Sequence, residues 1–465
     1  MNQERSIMLG NMNVKKLLLK FTIPASLAMF FDALYNLVDT IFVAWGSGEI
    51  AIGALGIVFP IWMIVFAFAL MIGIGSASVF SRAYGRGDAD AMRKTVHTAL
   101  LFNIVLASVF TLIGLVFIDE ILVIFGATAS NISDARDYMF FIVIALVPFS
   151  SAIVLNNLTR AEGRPKIAMT AMIIGAVVNI ILDPILIFNW GFGLGVKGAA
   201  IATLIAKSMM FIYILSASFS KKSSLGLRFN LGDINGRIFR QILVIGLPTF
   251  IRNSLGAFMF VLVNRLINVY APGDPAIYIS VMGVMNRMII FLLLPGFGLV
   301  QGLIPIVGFN FGAKKHERLH DVITYGTRLL ITYFWIIFLI MLLGARLIYT
   351  MFSREADPVF IETGTQAFRI VAFGFTLLGF QFIMSSVYQA MGFAVRAFLI
   401  ALSRQFLLFI PLVLILTSLF GIIGIWFSFL AADALSGLIS YGAYRHEMRH
   451  LKVQMRLSSP VLPVT

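Results

Sequence analysis

The sequence contains no cysteine, only five histidines and little charge. Disulfide bonds and metal sites built on thiolates are therefore excluded. The histidines fall at the cytoplasmic ends of predicted spans and form no metal-ligand spacing with carboxylates, so we expect no metalloenzyme. We also find no pairing of a nucleophile with a base, and we expect no enzyme of another kind. Charged residues make up 12% of the chain, about half the share usual in water-soluble proteins, which excludes an ordinary soluble domain.

Apolar residues instead make up 60% of the 465 positions, and they form long runs. A run of roughly 20 apolar residues is long enough to cross a bilayer as a helix. The predicted spans are 17–45, 51–81, 95–117, 136–157, 167–189, 198–218, 239–270, 277–309, 325–344, 366–389, 396–418 and 421–443. The sequence thus predicts an all-α polytopic membrane protein with twelve transmembrane helices.

The net charge of +14 is distributed over short segments between the apolar runs, so we expect no nucleic-acid partner. Most lysines and arginines of these segments lie on the side of the amino terminus, whereas Lys197, Arg346 and Arg354 lie on the other side. Basic loops stay in the cytoplasm, so we expect both termini to be cytoplasmic in a cell (inner) membrane protein. We interpret the first span as uncleaved.

The two halves of the chain repeat each other. Ile23-Pro24 corresponds to Leu247-Pro248, and Tyr84-Gly85-Arg86 corresponds to Phe311-Gly312-Ala313, each about 226 residues later. Six spans in each half make the repeat parallel, with a pseudo-two-fold axis along the membrane normal. The predicted domains are an amino-terminal lobe over 1–218, a cytoplasmic linker over 219–238 and a carboxyl-terminal lobe over 239–465.

Two predicted spans carry acidic residues inside their apolar runs. The first contains Pro24 and Asp39, and the fifth contains Asn179 and Asp183, four residues apart on one helix face and followed by Pro184. At about 1.5 Å per residue, Asp39 lies about 33 Å and Asp183 about 24 Å from the inner ends of their spans, in the outer half of the membrane. Ionisable side chains at such depth are usually functional.

The fourth and sixth spans run in the opposite direction and place Tyr138 and Thr203 in the same outer half. Carboxylates, an amide, a phenol and a hydroxyl suit a hard monovalent cation or a proton shared between two acids. We expect no lysine or arginine of the first, fourth, fifth or sixth span at this height. We consider Asp32, Tyr35, Asn36, Tyr138 and Asn156 as candidates for the substrate cavity.

Structural roles are open for each of these residues. Asp39 can be a helix acid bonded to backbone, and Asp183 can support the kink at Pro184. Asn179 and Thr203 can serve helix packing, and Tyr138 can be an interfacial aromatic. Asp32 lies seven residues before Asp39 on the same face, and it lines the same cavity or pairs elsewhere. Asn156 lies near the inner end of its span, where a polar amide costs little free energy because water is close.

The carboxyl-terminal half lacks matching acids, since Val263 occupies the position that corresponds to Asp39. The charged residues within its spans are mainly basic, namely Arg252, Arg265, Arg287 and Arg404, together with Asp433. We predict a structural pair between Arg404 and Asp433, although an arginine here can also serve an anionic substrate. We therefore assign ion coupling to the amino-terminal lobe.

The stretches ALYNLVDTIFVAWGSG (33–48), GIGSASVFSRAYGRGD (73–88), LPTFIRNSLG (247–256) and GFNFGAKK (308–315) resemble the multidrug and toxic compound extrusion (MATE) family, prokaryotic type. The resemblance covers both halves. It implies a V-shaped twelve-helix antiporter that exports cationic or amphipathic compounds in exchange for H+ or Na+. The family's ion-coupling positions match Asp39, Asn179, Asp183 and Thr203, which would also form the Na+ site, and Pro24 matches its helix-bending proline.

This interpretation has a rival, a flippase for lipids or lipid-linked oligosaccharides of the same broad superfamily. Such a cavity needs basic residues for a pyrophosphate, whereas the predicted cavity is acidic. We expect small-molecule substrates, contact with membrane lipids, a monomer and no cofactor beyond the transported H+ or Na+.

Overall fold

The computed structural model describes residues 3–47, 49–127, 131–220, 222–227, 231–353 and 357–458. Arg354, used above for orientation, and residues 221 and 228–230 of the predicted linker lie outside the described residues. The helices of the first half are α1 (Gln3–Asn11), α2 (Val14–Ser47), α3 (Glu49–Arg86), α4 (Ala89–Val116), α5 (Ile118–Ile124), α6 (Ile132–Ile144), α7 (Leu146–Ala161), α8 (Pro165–Ile187) and α9 (Gly195–Phe219). Those of the second half are α10 (Gly236–Tyr270), α11 (Pro275–Gly312), α12 (His316–Phe352), α13 (Pro358–Met391), α14 (Ala394–Leu402), α15 (Ile410–Phe420) and α16 (Ile422–Ser458), with a π-helical segment, Ser403–Phe409, between α14 and α15.

The prediction of twelve spans is confirmed. In the described part of the chain, 11 helices or continuous helical segments are long and apolar enough to cross a membrane. The fourth predicted span is divided into α6 and α7, which meet at an angle of 46°. Pro148 explains the break, because it has no N–H for the carbonyl of Ile144 and its ring crowds that carbonyl. Counted as one bent span, this pair is the twelfth.

Several helices extend beyond the apolar runs from which they were predicted. The last predicted span ends at residue 443, but α16 continues to Ser458 with a strongly basic final stretch. Hydropathy marks only the part of a helix that suits hydrocarbon, and backbone hydrogen bonding continues into the polar ends. We call the face at which α2 begins and α16 ends the basic face.

Helix α1 was not predicted, and it lies across both halves of the molecule at the basic face. On one side, Arg5 forms an ion pair with Glu162 at 3.4 Å. On the other, Arg318 Nε donates to the carbonyl of Leu9 at 3.2 Å, and Lys315 Nζ donates to the carbonyl of Gly10 at 2.9 Å. Only nine residues long and weakly amphipathic, α1 is held by these polar contacts together with Leu9, whose side chain is fully buried in the main apolar core.

The internal repeat is visible where the two halves meet. A Cβ atom on Gly85 of α3 would lie 2.0 Å from the carbonyl oxygen of Phe309 of α11, and a Cβ on Gly312 would lie 2.2 Å from that of Arg82. Phe309 lies three positions before Gly312, and Arg82 lies three positions before Gly85. The two contacts are therefore equivalent, as a two-fold axis requires. The chain repeats this glycine because any side chain would separate the helices.

The lobes form a V that is closed toward the basic face. The close approaches Gly75 to Ile242 and Gly246 to Met71 lie in the half of the bundle nearer this face. Among the described residues, the hydrogen bonds and ring contacts between the lobes extend no further than Ser26 with Pro295 and Phe30 with Phe291. The cleft between the lobes is therefore open toward the opposite face.

Candidate functional site

The candidate ion-coupling residues meet inside the amino-terminal lobe. Asp39 of α2, Asn179 and Asp183 of α8 and Thr203 of α9 are all buried. Asn179 Nδ2 donates to Asp183 Oδ1 at 3.1 Å and lies 3.4 Å from Thr203 Oγ1. The carboxyl group of Asp39 lies within hydrogen-bonding range of that of Asp183. Three separate helices thus contribute side chains to one polar cluster.

This cluster contains more acceptor oxygens than donors. Asp39 Oδ1, Asn179 Oδ1 and Asp183 Oδ2 are buried and accept no hydrogen bond from a described residue. Neither carboxylate forms an ion pair within the described part of the chain. Buried acceptors without partners are costly, and two ionised carboxylates in contact repel each other. The donor set fits a shared proton or a hard monovalent cation that prefers oxygen ligands.

Tyr138 of α6 lies beside this cluster. Its ring packs with Val43, Ile187 and Ala199, and both carboxylates act electrostatically on its phenol. The expectation that the fourth span contributes a phenol at the height of the acids therefore agrees with its position in the structure.

One charged residue of this site was missed, and the expectation that no lysine lies at this height was wrong. Lys207 of α9 is buried in the same lobe, where its Nζ lies 3.7 Å from Asp32 Oδ1 and donates to the hydroxyl of Tyr35 at 2.7 Å. It also acts electrostatically on Asp39. A lysine in the middle of the run GAAIATLIAKSMMFIYI was the available signal, since such a residue needs a partner inside the bundle.

Aromatic rings surround the Lys207 ammonium. It lies 4.2 Å from the ring centre of Tyr35, 5.1 Å from that of Phe149 and 6.0 Å from that of Trp62. Trp62 and Phe149 stack on each other at 4.4 Å. Such a box with a carboxylate at its edge is an environment that stabilises organic cations, and here the protein supplies a cation of its own.

Two of the other cavity candidates lie apart from the cluster. Asn36 is exposed, and its Nδ2 donates to the carbonyl of Asp32 on the same helix at 2.6 Å. The buried neighbour on the Asp32 face is Tyr35 instead. Asn156 Nδ2 donates to the carbonyl of Ala168 at 2.7 Å and joins α7 to α8, about 16 Å along α8 from Asn179.

Pro24 lies inside α2, 15 residues and about 22 Å before Asp39. Helix α2 is continuous through it, although its missing N–H leaves the carbonyl of Lys20 without its helical donor. Two residues later, Ser26 Oγ donates to the carbonyl of Pro295 at 2.8 Å, across the boundary between the lobes. A change of bend at Pro24 would therefore be felt at this boundary.

The carboxyl-terminal lobe contains the expected pair of Arg404 and Asp433, whose side chains are hydrogen bonded. Asp433 of α16 follows Gly421, which lies just before that helix, at the same spacing by which Lys207 follows Gly195 of α9, so the two residues are equivalent in the repeat. Both positions are buried and charged, but the charge is reversed.

Comparisons with known proteins agree with this architecture. The sequence profile of the family named MatE matches residues 24–185 and again residues 248–415, once in each half. The chain belongs to the MATE family. It is a multi-pass membrane protein, and its relatives are transporters rather than enzymes.

Among its relatives, the chain is 26% identical over 440 residues to the multidrug export protein MepA of Staphylococcus haemolyticus, covering 95% of each chain. A solved structure of the MATE multidrug transporter DinF-BH is 34% identical with a TM-score of 0.84, covering 93% of this chain and 95% of that one. A structure of MATE in the straight conformation has a TM-score of 0.89 at 23% identity, covering 97% and 100%, and shares the fold.

Proposed function

We propose that this protein is an antiporter that exports cationic or amphipathic small molecules in exchange for H+ or Na+, with Asp39 and Asp183 as coupling acids. The observation that carries the proposal is that Asp39, Asn179 and Asp183 belong to one buried cluster in which each of them has an oxygen without a partner. One external cation bound there would satisfy all three and neutralise the repulsion between the carboxylates.

The orientation follows from the distribution of charge. We assign the basic face to the cytoplasm because lysines and arginines are retained there during insertion. Both termini are then cytoplasmic, and the cleft described above is open to the outside. In this state, the acids lie in the half of the lobe from which an external H+ or Na+ can enter.

Exchange requires that ion and substrate depend on the same charges. An organic cation is drawn by Asp32 and Asp39 to the aromatic residues around Lys207. When the carboxylates take up H+ or Na+, this attraction weakens and the substrate leaves to the outside. A change in the bend of α2 at Pro24 would link the charge of Asp39 to the boundary between the lobes. Only the protein with neutralised acids then closes its outer opening and returns the ion to the cytoplasm.

The test is efflux of rhodamine 6G from proteoliposomes, driven by a pH gradient or a sodium gradient alone. Asp39→Asn and Asp183→Asn should each lower the gradient-driven rate by about tenfold or more, because the amide cannot exchange a proton or balance Na+. Asp137→Asn is the matched control, since this residue of α6 is exposed. Unchanged driven efflux in both acid variants would refute the coupling role.

A further inference from the structure

Arg252 of α10 is an arginine without a counterion in the membrane-spanning part of the carboxyl-terminal lobe. It lies one helical turn after Pro248 and is half-buried. Its Nε is buried without a hydrogen-bond acceptor, and no described carboxylate lies within ion-pair distance of it. An uncompensated guanidinium at this depth is costly, which makes it a candidate for ligand binding.

Neighbouring groups do not neutralise it. Arg404 acts on Arg252 electrostatically, and Asp433 is already bonded to Arg404. Arg265 of α10 and Arg287 of α11 are exposed. Two guanidinium groups and one carboxylate leave the interior of this lobe with one positive charge, whereas the interior of the amino-terminal lobe is acidic.

Among the described residues, none accepts a hydrogen bond from the buried Nε of Arg252. The guanidinium lies 5.2 Å from the ring centre of Phe297 of α11 and 5.7 Å from that of Phe382 of α13. The two rings pack together at 5.1 Å and form an apolar wall. A ring face attracts the guanidinium charge, but it does not occupy the donors of the guanidinium fork with conventional hydrogen bonds. The arrangement supports the charge and keeps a fork of donors available.

We propose that Arg252 binds a carboxylate of the transported compound, so that the protein accepts amphipathic zwitterions with an aromatic body as well as simple cations. The guanidinium fork matches a carboxylate in two parallel hydrogen bonds, and the wall of Phe297 and Phe382 fits the aromatic part next to it. This inference rests on the proposed export function and assigns the second lobe a share in substrate selection.

Two dyes that differ in this group provide the test. Rhodamine 19 has a free carboxylate, and rhodamine 6G is its ethyl ester. Binding of each to the purified full-length protein is measured by fluorescence polarisation. Arg252→Gln should weaken the binding of rhodamine 19 by about tenfold or more, the usual loss for a charge-assisted hydrogen bond. The same substitution should leave the affinity for rhodamine 6G unchanged or increase it. Arg252→Lys should retain part of the preference, because it keeps the charge and loses the fork.

Arg265→Gln is the matched control, an exposed arginine on the same helix, and should change neither dye. An equal loss of both dyes in Arg252→Gln, or no loss of either, would overturn the inference and leave the export function standing. If phosphatidylglycerol displaces rhodamine 19 from the wild type but not from Arg252→Gln, the arginine binds a lipid phosphate. This result would also overturn the inference. A wild type that binds neither dye would count against both proposals.

Discussion

Lys207 occupies the position in which an organic cation would be expected, and its removal should tighten the binding of such a cation. In Lys207→Met the side chain keeps its length and packing volume but loses its charge. The substrate then no longer competes with a tethered ammonium for Asp32, nor is it repelled by that ammonium.

The magnitude follows from the distances around Trp62. The ammonium lies 6.0 Å from the ring centre. A flat cation stacked about 3.5 Å beyond this ring would have its charge about 9.5 Å from Nζ. At an effective dielectric constant of about 20, the repulsion is about 1.8 kcal/mol, or roughly twentyfold in affinity. Release of Asp32 from its 3.7 Å pair adds to this gain.

The assay is binding of rhodamine 6G by fluorescence polarisation, with size-exclusion chromatography to confirm the fold. Lys197→Met is the control, because Lys197 lies on the same helix but is exposed. Asp32→Asn in the Lys207→Met background should return the affinity toward that of the wild type, since the freed carboxylate is then gone. A folded Lys207→Met protein with unchanged or weaker binding would refute the reasoning.

Two predictions concern the scaffold. Arg404→Met should destabilise the protein by about 3–5 kcal/mol, because it leaves the buried Asp433 carboxylate unpaired, and Arg404→Met/Asp433→Asn should recover most of this loss in thermal unfolding. If the double variant does not recover stability, the unpaired Asp433 carboxylate is not the cause of the loss. Gly85→Ala should hold the lobes apart at the basic face, because the new methyl group would meet a carbonyl at 2.0 Å. In a chain without cysteine, a disulfide between cysteines placed at Ser78 and Ala390, whose hydroxyl and carbonyl are 3.3 Å apart, should then form severalfold less; an unchanged yield would contradict the prediction.

Much of this architecture could be predicted from sequence because its signals are long or repeated. Hydropathy identified the twelve spans, and the repeated glycine and proline motifs identified the two-fold relation of the halves. Helix spacing and depth place Asp39 and Asp183 at one height, and their side chains lie together in the structure. The pair of Arg404 and Asp433 was predicted from the cost of isolated charge in a membrane.

Other features depend on contacts between helices that a single run of sequence does not contain. The depth of a residue within its own span does not show which residues of other helices it contacts. The ion pair of Lys207 with Asp32 on another helix is therefore absent from the prediction. Asn36 was placed between the two acids of α2, but the buried residue there is Tyr35. Helix α1 has no apolar run, and its position depends on its polar contacts with both lobes and on the buried side chain of Leu9.

Those contacts of α1 have a mechanical consequence. Helix α1 is bonded to both lobes at the closed end of the V. One of these two sets of bonds must break before the lobes can separate at that end. Release from the amino-terminal lobe breaks the ion pair between Arg5 and the buried Glu162. Release from the carboxyl-terminal lobe breaks the hydrogen bonds that Arg318 and Lys315 donate to two carbonyls of α1. The weaker of these two sets of contacts therefore sets how easily the lobes can separate at the basic face.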